Sequence, residues 1–124
     1  MNTVLTNEIT GASLSSNAIT LPAGKYYIEA SAPAYEVERH MVRLYNTTDS
    51  SLVISGTSEF TNTSNQISNR SFVSGRFLIT AEKAFEIQHQ CQTTRATSGF
   101  GVDSNTAFTV DHETYTDVKI WQIA

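Results

Sequence analysis

The chain has 124 residues and a mass of 13.6 kDa, which suits one domain with a single modest core and excludes a two-domain protein. Charged residues make up only 16% of the sequence, so Ser, Thr and Asn must solvate much of its surface, as is typical of β-rich proteins. The formal net charge of −4 provides no positive field for phosphate backbones, and nucleic-acid binding is not expected.

The single cysteine, Cys91, excludes an intrachain disulfide framework and a cysteine-based zinc cluster. The first ten residues contain no Lys or Arg and no apolar run, and the longest aliphatic run is residues 52–54. We therefore expect neither a secretion signal nor insertion into a membrane.

Residues 1–17 are rich in Thr, Ser and Asn, and their few apolar side chains follow neither the helical nor the strand period. We expect an N-terminal arm with at most one edge strand, followed by one domain over residues 18–124. Such an arm can add as a strand to a neighbouring protein. Its predicted attachment residues are Val4, Leu5 and Ile9.

The rest of the chain alternates short apolar or aromatic runs with polar turns. We expect a turn at residues 22–24, an interruption of strand pairing at Pro33 and a polar loop over residues 57–69. The pattern predicts eight or nine strands without a helix, arranged as a jelly-roll β-sandwich. The predicted strands are residues 19–21, 25–32, 35–46, 52–54, 70–80, 83–93 and 115–123, with two more segments at 99–102 and 107–110.

The segment 35–46 carries apolar residues on both faces of the predicted strand. Because a half-exposed strand of a monomer should alternate cleanly, a neighbouring subunit is expected to cover the second face, and a trimer is predicted. Val42 and Leu44 then point into the sandwich. The predicted subunit-contact residues are Tyr35, Met41, Arg43 and Tyr45.

Segment 83–93 alternates almost perfectly and places His89 and Cys91 on the inward face. We interpret them as a hydrogen-bonded imidazole in the core or at an interface and a buried, inert thiol, and we expect a packing or interface role for His40. No catalytic motif and no paired-carboxylate signature of a polysaccharide depolymerase can be identified. The sequence therefore predicts a protein that is not an enzyme.

Acidic residues cluster at Asp111-His112-Glu113, near Asp103 and Asn105, but without the spacing of a calcium loop or a zinc site. We predict no metal and no cofactor. The glycosylation triplets that begin at Asn46, Asn62 and Asn69 are attributed to chance.

Four arginines lie within aromatic strands, where they can stack and form ordered ion pairs at a subunit contact. The arginines are Arg39, Arg43, Arg70 and Arg76, and the expected partners are Glu36, Glu38, Glu59 and Glu86.

Five phrases between residue 19 and the C-terminus are informative together: ITLPAGKYYIEASAPAY, RHMVRLYNTTD, RSFVSGRF, FEIQHQCQTT and YTDVKIWQI. In these phrases the chain resembles a family of small domains in tailed-bacteriophage virion proteins, similar in outline to the trimeric C1q and tumour-necrosis-factor jelly rolls. It implies a non-enzymatic jelly-roll homotrimer on the outer surface of a phage particle, synthesised in the host cytoplasm and bound to other virion proteins. Since no shaft sequence is present, a head-decoration or knob protein fits better than a fibre tip.

A receptor- or glycan-binding tip of a tail fibre is the alternative interpretation. In that case the polar segments 57–69 and 93–98 would contact the host surface.

Overall fold

The structure is a computed structural model, and it describes residues 1–106 and 113–124. These residues contain nine strands and no helix, which confirms the predicted all-β class. The strand segment predicted at 99–102 is wrong, because the chain forms a turn there and has no strand. The segment predicted at 107–110 lies outside the described residues, as do Asp111 and His112. The strands are β1 (Ser13–Ser15), β2 (Ala18–Leu21), β3 (Gly24–Tyr35), β4 (Glu38–Asn46), β5 (Ser51–Ser55), β6 (Glu59–Thr61), β7 (Ser68–Ile79), β8 (Lys83–Cys91) and β9 (Asp117–Ile123).

The strands form two antiparallel sheets that pack as a β-sandwich. The six-stranded sheet has the order β1-β2-β8-β4-β5, with β6 also paired to β4, and the three-stranded sheet has the order β7-β3-β9. β2 pairs with β8 in the first sheet, while β3 pairs with β7 in the second. The segment β2–β3 therefore pairs with the segment β7–β8 once in each sheet, as a doubled hairpin.

Side chains that alternate along the strands fill the space between the sheets. β3 contributes Tyr26 and Ile28, and β4 contributes Val42 and Leu44, all at most 1% exposed. Phe77 stacks on Tyr26 with ring centroids 5.5 Å apart. The sequence prediction that Val42 and Leu44 face the interior is therefore confirmed.

Pro33 does not interrupt strand pairing, contrary to the sequence prediction. β3 continues to Tyr35, and Pro33 lies opposite Arg70 of β7. β9 begins at Asp117, opposite Ser31, so β3 has only one neighbour among the described strands at Pro33. A residue without an N–H is tolerated where one edge of the strand is unpaired.

The predicted strand 35–46 is two strands in different sheets, so this prediction is wrong. Tyr35 ends β3, and β4 begins at Glu38 after the chain has crossed to the six-stranded sheet. Glu36 and Glu38 have φ angles of 52° and 64°, which turn the backbone sharply. Val37 between them is fully buried, and its N–H donates to Thr61 Oγ1 at 2.9 Å. Alternation alone could not reveal this crossover.

The predicted polar loop 57–69 contains β6, a short strand that pairs with the start of β4. The aliphatic run 52–54 predicts a short buried strand, but Leu52 of β5 is 52% exposed. Between β5 and β6, the N–H of Gly56 donates to Val42 O at 2.8 Å and that of Thr57 to Phe72 O at 2.8 Å. This segment therefore joins the two sheets directly.

Candidate functional site

We define the outer face of the six-stranded sheet as the side chains of β4, β5, β6 and β8 that point away from the core. β4 lies in the middle, between β8 on one side and β5 and β6 on the other. Three large apolar side chains here are strongly exposed, Met41 by 38%, Leu52 by 52% and Phe60 by 53%. The face consists of Met41, Arg43, Tyr45, Leu52, Phe60, Glu86, Gln88 and Gln90.

Polar side chains on this face bind one another across the strands. Arg43 Nε donates to Gln88 Oε1 at 2.9 Å, and the guanidinium lies 4.5 Å from the centroid of the Tyr45 ring. Gln88 Nε2 in turn donates to Glu86 Oε2 at 3.0 Å. The charge of Arg43 is therefore already partly satisfied, which lowers the cost of covering this face.

Tyr35 does not lie with the other three predicted contact residues. It belongs to the three-stranded sheet, and the guanidinium of Arg95 lies 4.9 Å from its ring centroid. Met41, Arg43 and Tyr45 do share the outer face of the six-stranded sheet. The crossover at Glu36 separates Tyr35 from them.

Within the single chain, none of the expected arginine–glutamate pairs forms among the described residues. Arg39 Nη1 donates to Gln92 Oε1 at 2.8 Å, and Arg70 Nε donates to Ser31 Oγ at 2.9 Å. Each acceptor is an amide or hydroxyl oxygen and not a carboxylate. The ion pairs that the described residues form are Lys83–Asp49, Arg95–Glu36 and Lys119–Asp117.

The N-terminal arm leaves two of its three predicted attachment residues exposed. Val4 is 52% and Leu5 is 76% exposed, whereas Ile9 packs against the core between the sheets. A groove of about 980 Å³ lies between the arm and β9. Val4 and Leu5 are thus available to a partner, while Ile9 is already engaged with the sandwich.

A carboxylate holds together the two polar segments that the sequence singled out. Glu36 is 7% exposed; its Oε1 accepts from the N–H of Gln66 at 2.8 Å, and its Oε2 contacts Arg95 Nη1 at 2.8 Å. The segments 57–69 and 93–98 therefore lie side by side at one end of the sandwich.

A pair of histidines joins β4 to β8 beneath the outer face. His40 Nδ1 lies 3.0 Å from His89 Nε2, and His40 Nε2 lies 2.7 Å from Asn69 Oδ1 of β7. His40 is only 4% exposed. Asn69 Nδ2 donates to Phe60 O at 3.0 Å, so the chain of hydrogen bonds links β8, β4, β7 and β6.

The His89 ring lies in an apolar setting, stacked on Phe100 with centroids 4.5 Å apart. Burial and the charge of nearby His40 lower the pKa of His89 from 6.5 to about 4. Cys91, the next inward-facing residue of β8, donates through Sγ to Thr93 O at 3.4 Å. The expected hydrogen bonding of His89 agrees with this geometry, and His40 is buried, whereas Cys91 is only partly buried.

Two of the glycosylation triplets begin with asparagines that the fold uses for hydrogen bonding. Asn46 is 6% exposed and binds Asp49 through both its Oδ1 and its Nδ2. Asn69 forms hydrogen bonds with His40 and with the carbonyl oxygen of Phe60. Of the acidic cluster, Glu113 accepts from Ser104 N at 2.7 Å.

Within residues 1–106 and 113–124, no group of three or more His, Cys, Asp or Glu side chains is placed to hold a metal ion. In the same ranges no helix combines the length and apolar character needed to cross a membrane.

Sequence reasoning missed Asn69, Phe100 and the pairing of Glu36 with Arg95. Asn69 lies 29 residues from His40 and 20 residues before His89 along the chain, and no local spacing connects them. Only the positive φ of Glu36 marks its position as unusual, and that is a property of the backbone.

No protein-family model matches the chain, and no curated protein matches it either.

Proposed function

We propose that this chain is a non-enzymatic structural subunit, a jelly-roll β-sandwich that assembles as a homotrimer and covers or decorates the surface of a bacteriophage particle. The exposed apolar strip on the outer face of the six-stranded sheet is the observation that carries the assembly part of this proposal. The doubled hairpin, in which β2–β8 and β3–β7 lie in opposite sheets, supports a jelly-roll connectivity. The virion location is supported by the resemblance of the strand phrases.

A second copy of the chain is the occupant we assign to the outer face. Interface cores combine aromatic residues, Met and Arg, and Met41, Phe60, Arg43 and Tyr45 supply this composition here. The guanidinium of Arg43 is hydrogen-bonded to Gln88 and stacks on Tyr45, so covering it costs less than covering a guanidinium without contacts. In a cyclic trimer this face meets a different surface of the neighbouring subunit, because the contact is heterologous.

Light scattering coupled to size-exclusion chromatography tests the assembly at micromolar concentration. We expect about three times the 13.6 kDa chain mass for the unmodified protein. Met41→Glu should yield monomers that still unfold cooperatively. Leu44→Ala, which creates a cavity in the core, should remain trimeric and lose about 2–5 kcal/mol of stability.

Leu78→Glu is the matched control, because Leu78 is 63% exposed on the three-stranded sheet. It should leave the trimer intact, provided that the second surface of this heterologous contact lies outside the three-stranded sheet. A monomeric unmodified protein, or dissociation by Leu78→Glu but not by Met41→Glu, would contradict the proposed contact.

A receptor- or glycan-binding tip is the second candidate, favoured by the way Glu36 joins two polar segments. Gln66 and Arg95 bind the two oxygens of one carboxylate, so segments 57–69 and 93–98 form one continuous polar surface. Glu36→Ala should uncouple the segments and weaken binding to host-surface glycans on an array. Thr94→Ala, an exposed change within the second segment, tests whether individual side chains there contact the ligand. Absence of glycan binding by the unmodified protein excludes this candidate as a glycan-binding tip.

A further inference from the structure

The fixed orientation of Asn69 restricts where hydrogens can lie on the rings of His40 and His89. Asn69 Nδ2 donates to Phe60 O, and its Oδ1 therefore faces His40 Nε2. Oδ1 only accepts hydrogen bonds, so His40 Nε2 must carry a hydrogen. Between His40 Nδ1 and His89 Nε2, 3.0 Å apart, there is room for one hydrogen only.

Two protonation states satisfy this arrangement and a third does not. In the neutral pair, His89 Nε2–H donates to His40 Nδ1. One added proton enters at His89 Nδ1, and the shared hydrogen can then move from His89 Nε2 to His40 Nδ1, which donates it back to His89 Nε2. A second added proton places two N–H donors and two positive charges against each other at 3.0 Å. That contact is repulsive both as a hydrogen bond and as a charge pair in a partly buried site.

We propose that the His40–His89 pair is an acid-sensitive latch: double protonation separates the two rings and opens the end of the sandwich where β4, β6, β7 and β8 meet. The rings are the link between these strands, through Asn69 on β7 and Phe60 O on β6. Phe100, half exposed and stacked on His89, covers the pair on the solvent side. Asn69 is the one residue of the three-stranded sheet that takes part in these hydrogen bonds. The strands of that sheet should therefore stay paired when the latch opens.

The groups around the two rings do little to stabilise the positive charge that a second proton would add. Glu59 of β6 and Cys91 of β8 are the strand partners of His40, and Glu38 lies two residues before it on the same side of β4. The Glu38 carboxylate accepts from Thr93 Oγ1 at 2.5 Å, and Arg95 of the adjoining loop is paired with Glu36. Among the described residues no carboxylate forms a hydrogen bond with either ring. The pKa of His89 is lowered to about 4, as expected where burial and His40 both disfavour its protonation.

Hydrogen–deuterium exchange read by mass spectrometry tests the latch on the full chain at pH 7 and pH 4, with intrinsic exchange rates corrected for pH. We expect protection to fall at least tenfold at pH 4 in segments 38–42 and 87–92, while segment 24–31 of β3 stays protected. Unchanged protection at pH 4 in the first two segments would overturn the proposal. Loss of protection throughout the chain would overturn it too, because the opening would then be global.

His89→Phe separates the latch from ordinary carboxylate titration. A phenyl ring can still stack on Phe100 but cannot take a proton, so the acid-induced loss of protection should disappear. His89→Gln, which keeps a polar partner for His40, is the second variant in case the phenyl ring disturbs folding, and it should also be insensitive. Cys91→Ser, on the same face of β8, should open at pH 4 like the unmodified protein. Acid opening that persists in both His89 variants would assign the effect to other groups and refute the latch.

Discussion

The hydroxyl of Tyr26 donates a 2.7 Å hydrogen bond to the carbonyl oxygen of Pro22, four residues earlier in the chain. This bond closes the turn that carries the chain from β2 in the six-stranded sheet to β3 in the three-stranded sheet. Tyr26 is fully buried, and that burial raises the pKa of its hydroxyl. The ring fills the core while the hydroxyl satisfies a backbone acceptor that water cannot reach easily.

Tyr26→Phe should therefore destabilise the protein without changing its fold. The ring and its contacts remain, but the Pro22 carbonyl loses its partner, at a cost of about 1–2 kcal/mol in the free energy of unfolding. Tyr27→Phe is the control, since the Tyr27 hydroxyl binds Glu29 at the surface, 3.0 Å away, and should cost less than about 0.5 kcal/mol. Urea unfolding followed by tryptophan fluorescence measures both, and equal losses would contradict the assignment.

Gly56→Ala should be among the most damaging single substitutions in the chain. A Cβ at Gly56 would lie 2.4 Å from Val42 O and 2.8 Å from Phe72 O, which are backbone atoms of the two sheets. The sheets must separate to admit the methyl group, and we expect a loss on the order of 3 kcal/mol.

Gly24→Ala is the comparison for that substitution. Its nearest neighbour would be Gln122 Nε2 at 3.2 Å, the end of a flexible side chain that can move. Thermal unfolding should show a far smaller decrease in Tm than for Gly56→Ala. If the two variants melt together, the tight approach at Gly56 is not a determinant of stability.

His89 should remain neutral well below the usual range for histidine. Its pKa near 4 in the folded state lies under the ordinary 6.5, so the unfolded chain binds more protons between these values. The stabilisation from keeping His89 neutral is complete above pH 6.5 and is lost as the pH falls towards 4. Nitrogen-15 NMR of the imidazoles, recorded from pH 7 to pH 3.5, measures the titration, and a midpoint near 6.5 for His89 would contradict the burial that the structure gives it.

Removing residues 1–6 should leave the stability of the sandwich nearly unchanged. The deletion takes away the exposed Val4 and Leu5, whereas Ile9 keeps its contact with the core. Ile9→Ala should in contrast lower the free energy of unfolding by about 1 kcal/mol through lost packing. Calorimetry separates the two outcomes.

The same truncation tests the attachment role proposed for the arm. If Val4 and Leu5 bind another virion protein, the truncated chain should assemble with itself but fail to copurify with particles. Normal incorporation would place the attachment surface elsewhere.

Alternation along the strands determined which side chains face inward. Val42 and Leu44 of β4 and Phe85 of β8 are buried as their positions in the sequence predict, because successive side chains of a strand point to opposite faces. The same rule placed His89 on the inward side. These results depend only on neighbours along the chain, and so the all-β class and much of the core could be predicted from the sequence.

The histidine pair and the crossover between the sheets depend on pairing between segments that are distant in the sequence. His40, His89 and Asn69 meet because β4 pairs with β8 and faces β7 across the sandwich, and that juxtaposition is not encoded by any local spacing. The break at Glu36 separates Tyr35 from Met41 because the backbone must leave one sheet to enter the other. Local alternation is a property of one strand at a time, whereas these contacts arise only when the free energy of closing long loops is offset by packing two sheets together.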